Sequence, residues 1–187
     1  GDIVYNRDTI IDYIGKAKEQ GCDLVCFPEL ALTGYPPCDL LYNPRFIGQC
    51  EDALEQIAKK ADGIDVLLGA AISDSQSGKL INCVVLLKDS SIYGIFPKRS
   101  LDKNVYFDEE KYFVSSSTTP YTLDYRGVKI GMLIGEIEGH DIFGSILDED
   151  EIDLFINICS IPYYYGRYTE RVERLSKLAR SVGRPIV

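Results

Sequence analysis

Apolar and polar positions recur along this chain with two periods, and the changes of period mark its elements. From Arg7 to Gln20, the residues Ile10, Ile11, Ile14 and Ala17 fall on one helical face, and Gly21 ends the pattern. Asp23–Phe27 is a short apolar run with the length of a buried strand, cut by Pro28. Asn43-Pro44 opens a second helical pattern that runs to Lys60 through Phe46, Ile47, Ala53, Leu54, Ile57 and Ala58. Ile64–Ile72 and Leu80–Leu87 read as strands joined by a polar turn at Ser73–Lys79, and Ser91–Phe96 follows across another tight turn. Tyr121–Tyr125 and Val128–Ile134 flank Arg126-Gly127, a second hairpin signal. A helix is expected over His140–Asp150, a strand over Ile152–Cys159, a helix over Arg167–Val182 and the start of another strand at Pro185–Val187. Helices alternate with strands while hairpins interrupt the alternation, which predicts an α/β class with mixed rather than purely parallel sheets.

A length of 187 residues suits one domain with a sizeable core, and residues 1–187 read as such. The net charge of −9 argues against a nucleic acid or an anionic membrane as partner. No apolar run is long enough to span a bilayer, and no signal peptide is recognisable. The cysteines at 22, 26, 38, 50, 83 and 159 are dispersed, most of them in apolar strand-like runs. That pattern reads as reduced thiols in the cytoplasm rather than a disulfide framework.

The densest chemical signal is the stretch from Asp23 to Leu41. Glu29 follows Pro28 at the end of an apolar run and precedes the Gly/Pro-ordered loop Thr33-Gly34-Tyr35-Pro36-Pro37. A carboxylate placed there costs desolvation unless it is partnered or used, so Glu29 is a candidate general base. The wording Phe27-Pro28-Glu29-Leu30-Ala31-Leu32-Thr33-Gly34-Tyr35-Pro36-Pro37 resembles the catalytic-acid motif of the nitrilase (carbon–nitrogen hydrolase) superfamily, in particular the glutamine amidase domain of glutamine-dependent NAD synthetases. A second segment, Phe96-Pro97-Lys98-Arg99-Ser100-Leu101 with Phe107-Asp108-Glu109-Glu110-Lys111-Tyr112-Phe113, resembles the family's lysine motif. The resemblance implies a nitrilase-like αββα four-layer sandwich, incomplete here at both ends.

Members of this family use a Glu–Lys–Cys triad, in which the thiol attacks an amide carbonyl, the glutamate carries protons and the lysine steadies the oxyanion. By this resemblance Glu29 takes the acid position, Lys98 the lysine position and Glu109 that of an accessory acid. Asp102 stands where proline is usual, which reads as a minor departure. The third motif departs further. In Gly131-Met132-Leu133-Ile134-Gly135-Glu136-Ile137-Glu138-Gly139, Gly135 occupies the nucleophile position, Ile137 that of an aspartate and Gly139 that of a tryptophan. Glycine has no side chain, so no thioester can form there. Glu136 and Ile161 are placed beside the substrate by the same resemblance, with Ile161 in Asn157-Ile158-Cys159-Ser160-Ile161-Pro162 replacing a serine, while Tyr35 reads either as a substrate-pocket residue or as ordinary aromatic packing.

Plainer readings stand beside these. Glu29 could cap a helix, Lys98 could be solvated, and Glu109 sits in a charge run that is ordinarily a wet face. Cys159 and Cys38 are the thiols that could substitute for a missing nucleophile. Cys22 and Cys26 lack a second ligand pair, so no metal is expected. His140 reads as a helix-start residue, and Ser77-Gly78-Lys79 as a turn rather than a phosphate loop.

The resemblance therefore implies a glutamine-hydrolysing amidase domain, acting on glutamine or another small amide, whose hydrolysis is absent or impaired. It implies no cofactor within this domain, since ATP and deamido-NAD would belong to a separate NAD synthetase domain as partner. Homo-oligomeric assembly is expected. The alternative is a catalytically inactive scaffold or a sensor of small amides.

Overall fold

The computed structural model describes residues 1–187 apart from 75–77, 104, 116–120 and 137–151. These residues divide into two compact units, Gly1–Ser117 and Thr118–Val187.

The first unit opens with helix α1, Ile3–Glu19. It starts ahead of the expected Arg7 because the Asp2 carboxylate accepts from the Tyr5 amide at 3.0 Å, an N-cap that satisfies one free donor of the first turn. Val4 and Tyr5 are exposed, so the apolar stripe does not announce this first turn although Ile3 is buried. Helix α2, Pro44–Ala58, is capped by Asn43, whose side-chain oxygen accepts from Arg45 N at 3.0 Å. It buries Phe46, Ile47, Cys50, Ala53, Leu54, Ile57 and Ala58 on one face.

Four strands form one sheet in the order β1-β2-β3-β4: β1 Leu24–Cys26, β2 Asp65–Ser73, β3 Leu80–Lys88 and β4 Ser91–Pro97. β1 pairs with β2 in parallel, and the other neighbours are antiparallel. β2 and β3 are buried almost throughout, which explains their unbroken apolar runs. The expected buried strand at Asp23–Phe27 is corrected. β1 is shorter and lies at the sheet edge, with Cys26 exposed. Ile10, Ile14, Phe46, Leu54, Ile57, Val66, Leu68, Val85 and Leu87 share one core. Each fully buried aliphatic side chain of this kind contributes about 1.5–3 kcal/mol.

In the second unit β5, Tyr121–Tyr125, and β6, Val128–Ile134, form the expected hairpin across Arg126-Gly127. β6 runs parallel to β7, Leu154–Ile158, which begins later than the expected Ile152, and Ile186 bridges to Phe155 beyond it. Helix α3 spans Arg167–Val182 as expected and ends at Gly183, whose φ of 66° allows its N–H to reach Ala179 O. Leu133, Ile152, Phe155 and Leu178 form the core of this unit. The helix expected over His140–Asp150 lies outside the described residues.

All six cysteines are free thiols. Only Cys26 and Cys83 lie in strands, whereas Cys50 is in α2 and Cys38 in a 3₁₀ turn, so the strand-like distribution expected of them is corrected. Among the described residues no helix is long and apolar enough to cross a membrane.

Candidate active site

The site of the first unit begins where β1 ends. Phe27 N still donates to Leu67 O at 2.8 Å, after which Pro28 turns the chain across β2. It crosses at Gly69, where an added Cβ would lie 2.3 Å from Pro28 O and 2.5 Å from Glu29 Cα. Only glycine permits that approach. Leu30, fully buried, holds φ at 52°, an uncommon conformation for a side-chain-bearing residue, and its carbonyl accepts from Gly34 N at 2.9 Å. The loop is thus closed on itself around Glu29.

Three other segments deliver partners. Asn82 lies on β3, Lys98 directly follows β4 with its amide donating to Asn82 O at 2.7 Å, and Glu109 opens the 3₁₀ turn Glu109–Lys111. The Lys98 ammonium donates to Glu29 Oε1 at 2.8 Å, Glu109 Oε2 at 2.7 Å and Asp102 Oδ2 at 2.6 Å. Asn82 Nδ2 bridges the two glutamates, donating to Glu29 Oε1 at 2.8 Å and Glu109 Oε1 at 2.7 Å. The Asp102 amide donates to Glu109 Oε2 at 2.6 Å. Glu29, Asn82, Lys98 and Glu109 are each 1% exposed, which excludes the solvated-charge readings for all three ionisable groups.

Burial alone would lower the Lys98 pKa, but Glu29, Glu109 and Asp102 outweigh it and hold the ammonium above its ordinary range. Glu109 is raised, because desolvation of its carboxylate exceeds the stabilisation it receives from Lys98. Tyr35 packs edge-on against Phe107, with ring centroids 5.7 Å apart. Its hydroxyl is pushed up to about 12 by burial first and by the negative charges of Glu29, Glu109 and Asp102 after it. Carboxylate oxygens of Glu29, Asp102 and Glu109 lie within 4.8 Å of one another, a spacing that could hold a metal ion. The ammonium of Lys98 bonds all three, so the cage already contains a cation of the chain's own. Chemically, it can shuttle a proton at Glu29 or Glu109 and stabilise negative charge at Lys98.

The remaining expected residues lie in the second unit. Gly135, buried, follows β6 with φ at 85°. Its N–H donates to Ile158 O at 2.9 Å and its carbonyl accepts from Asn157 Nδ2 at 3.0 Å. The Glu136 carboxylate is gripped by Arg167 and, at 2.7 Å, by Arg174. Ile161 is half-buried after β7, and Cys159 Sγ accepts from Arg171 Nη2 at 2.8 Å. Ile137 and Gly139 lie outside the described residues.

Sequence reasoning missed Asn82, Gly69 and the two arginines, and read Asp102 as a minor departure where it is a direct partner of Lys98. Asn82 did leave a signal. It is the lone polar residue inside the apolar run of β3, and a buried amide needs partners.

The chain is similar to several known proteins. A glutamine-dependent NAD(+) synthetase from Synechocystis sp. is 33% identical over all of this chain and 36% of its own length. One from Xylella fastidiosa is 34% identical, again over all of this chain and 34% of its own. The chain thus spans about a third of the length of these curated relatives. The glutamine-dependent NAD+ synthetase of Acinetobacter baumannii, solved with adenosine diphosphate, superposes with a TM-score of 0.92 at 30% identity, covering 100% of this chain and 35% of that one. A nitrilase-superfamily amidase from Nesterenkonia sp. AN1 shares the fold at a TM-score of 0.74 and 19% identity, over 90% of this chain and 64% of its own. The α/β, nitrilase-like fold class read from the sequence is therefore correct. The carbon-nitrogen hydrolase family model matches residues 1–179, and the chain belongs to that family.

Proposed function

We propose that residues 1–187 are an amidase-type domain of a glutamine-dependent NAD synthetase-like protein, with its own amide-hydrolysing step absent or severely impaired. The observation that carries this reading is the buried Lys98 ammonium held between Glu29 and Glu109 at 2.8 and 2.7 Å. On this reading it is the acid–lysine part of the family's apparatus, and the similar proteins are glutamine-dependent NAD(+) synthetases. In such a site a thiol would attack the amide carbonyl, Glu29 would take its proton and deliver one to the departing amine, and Lys98 would face the oxyanion. Gly135, at the position that the resemblance gives to the thiol, supplies no nucleophile. Its φ of 85° suits glycine and strains any side-chain-bearing residue by about 1–2 kcal/mol. ATP and deamido-NAD would bind a separate synthetase domain, in a cytoplasmic and homo-oligomeric protein.

The test is covalent capture by a glutamine analogue carrying a diazoketone in place of the amide, followed by peptide mass spectrometry. The expected outcome is no adduct on the wild type and one adduct at the introduced thiol of Gly135→Cys. An adduct on wild-type Cys159 or Cys38 would instead identify a displaced nucleophile, a role that the contact of Cys159 with Arg171 favours over Cys38. The second reading is amide sensing or scaffolding without turnover, favoured by an intact charge cluster in a chain whose residue 135 is glycine. Glutamine binding without ammonia release distinguishes sensing from scaffolding.

A further inference from the structure

The Lys98 ammonium has three protons to donate, and each has a carboxylate acceptor: Glu29 Oε1, Glu109 Oε2 and Asp102 Oδ2, at 2.8, 2.7 and 2.6 Å. A lysine so engaged has no proton left for a substrate oxygen. The three acids are not held alike. Glu29 and Glu109 are 1% exposed and both accept from Asn82, and Glu109 also accepts from the Asp102 amide. The Asp102 side chain is 25% exposed, and among the described residues its carboxylate bonds only Lys98. It stands at the rim of the cage, and release from the ammonium costs it only its single partner.

We propose that Asp102 is a latch on Lys98. Its carboxylate occupies the ammonium proton that a substrate carbonyl oxygen would otherwise accept, and so sets whether this lysine can stabilise an oxyanion. The charge balance acts in the same direction. Three carboxylates around one ammonium already carry an excess of negative charge, and a developing oxyanion would add to it. Removing the Asp102 carboxylate frees one donor and takes away one negative charge at once. The backbone contacts of residue 102 are independent of its side chain. Its N–H donates to Glu109 Oε2 and its carbonyl accepts from Glu109 N at 3.0 Å, so side-chain variants leave Glu109 in place. Asp102 is thus a positioning residue acting through Lys98, a role that rests on the amidase reading for its consequence but not for its geometry.

The test has two readouts. The first is the nitrogen–proton NMR signal of the Lys98 ammonium in the glycine-bearing chain, assigned with Lys98→Met. Asp102→Ala is expected to speed exchange of those protons with solvent and to lower the lysine pKa, and Asp102→Asn to do so less. The second is glutamine hydrolysis in the Gly135→Cys background. There Asp102→Ala is expected to raise kcat on the order of 10²-fold, the usual worth of one oxyanion donor. KM should change far less, because the oxygen carries full charge only in the transition state. An ammonium signal unaltered by Asp102→Ala overturns the latch whatever the protein does with glutamine. Unaltered or reduced kcat in a variant that does turn over glutamine also overturns it. An ammonium altered as expected, with no turnover in any variant, upholds the hold of Asp102 on Lys98 and counts instead against the amidase reading.

Discussion

Replacing Lys98 by methionine isolates the energetics of the cage. The side chain keeps its length and apolar stem but loses the ammonium that neutralises Glu29 and Glu109, both 1% exposed, and Asp102. Removing one partner of a buried ion pair is expected to cost about 3–5 kcal/mol, since the orphaned charges stay out of water. For a chain of this size that is a fall in Tm of roughly 6–20 °C. The cost depends on pH in a defined sense. With Lys98 gone, Glu109 loses the charge that opposes its desolvation, so its carboxyl rises further and is neutral over a wider acid range. The variant should therefore approach wild-type stability as the pH falls toward the ordinary carboxylate range and diverge from it toward neutrality. At the alkaline end the sign is also fixed. Because the folded pKa of Lys98 is raised, its contribution is complete below the ordinary 10.5 and lost as pH climbs through the folded value, an arm absent from Lys98→Met. Urea denaturation followed by circular dichroism across that pH range measures all of this. A loss under about 1 kcal/mol at neutral pH would place the ammonium in screened solvent and refute the reasoning. So would a larger loss that is the same at acid and neutral pH.

Three further changes probe how the site is held. Gly69→Ala puts a Cβ 2.3 Å from Pro28 O, so the Glu29 loop must shift, and calorimetry should find a loss of about 1–3 kcal/mol. An unchanged Tm would mean the close approach is not real. Asn82→Leu removes the amide that bridges Glu29 and Glu109, and about 1.5–3 kcal/mol per lost charge-assisted bond is expected, reduced because the buried Asn82 Oδ1, which has no partner among the described residues, is removed too. Neutral stability of this variant would show that water can replace the amide. Glu109 has a raised folded pKa, so its contribution is complete below the ordinary 4.5 and fades as the pH rises through the folded value. Wild type should accordingly lose stability relative to Glu109→Gln over that interval, and parallel curves would contradict the raised value.

Much of the fold was legible because burial was simple. β2 and β3 are covered on both faces, so they appear as unbroken apolar runs, and α3 sits between two glycines of positive φ, Gly166 and Gly183. The start of α1 was not legible, since a capping aspartate and two exposed apolar residues carry no periodic signal. Glu29 could be suspected from its place after a proline-cut apolar run, but its role, and Lys98 and Glu109 altogether, could be named only from the wording of their motifs. Charge and spacing alone leave each of them equally compatible with a wet surface. What escaped notice acts through space. Gly69 matters because a distant loop crosses it, and Asp102 because a turn brings its carboxylate back to Lys98, and neither contact leaves a pattern in the residues alongside.

The proposed amidase domain has an acid–lysine apparatus without its nucleophile. Ammonia release from glutamine by the full-length protein, wild type beside Gly135→Cys, tests it most directly. A silent wild type and measurable release from the variant are expected. Release by the wild type at a rate that Gly135→Cys does not improve would contradict it.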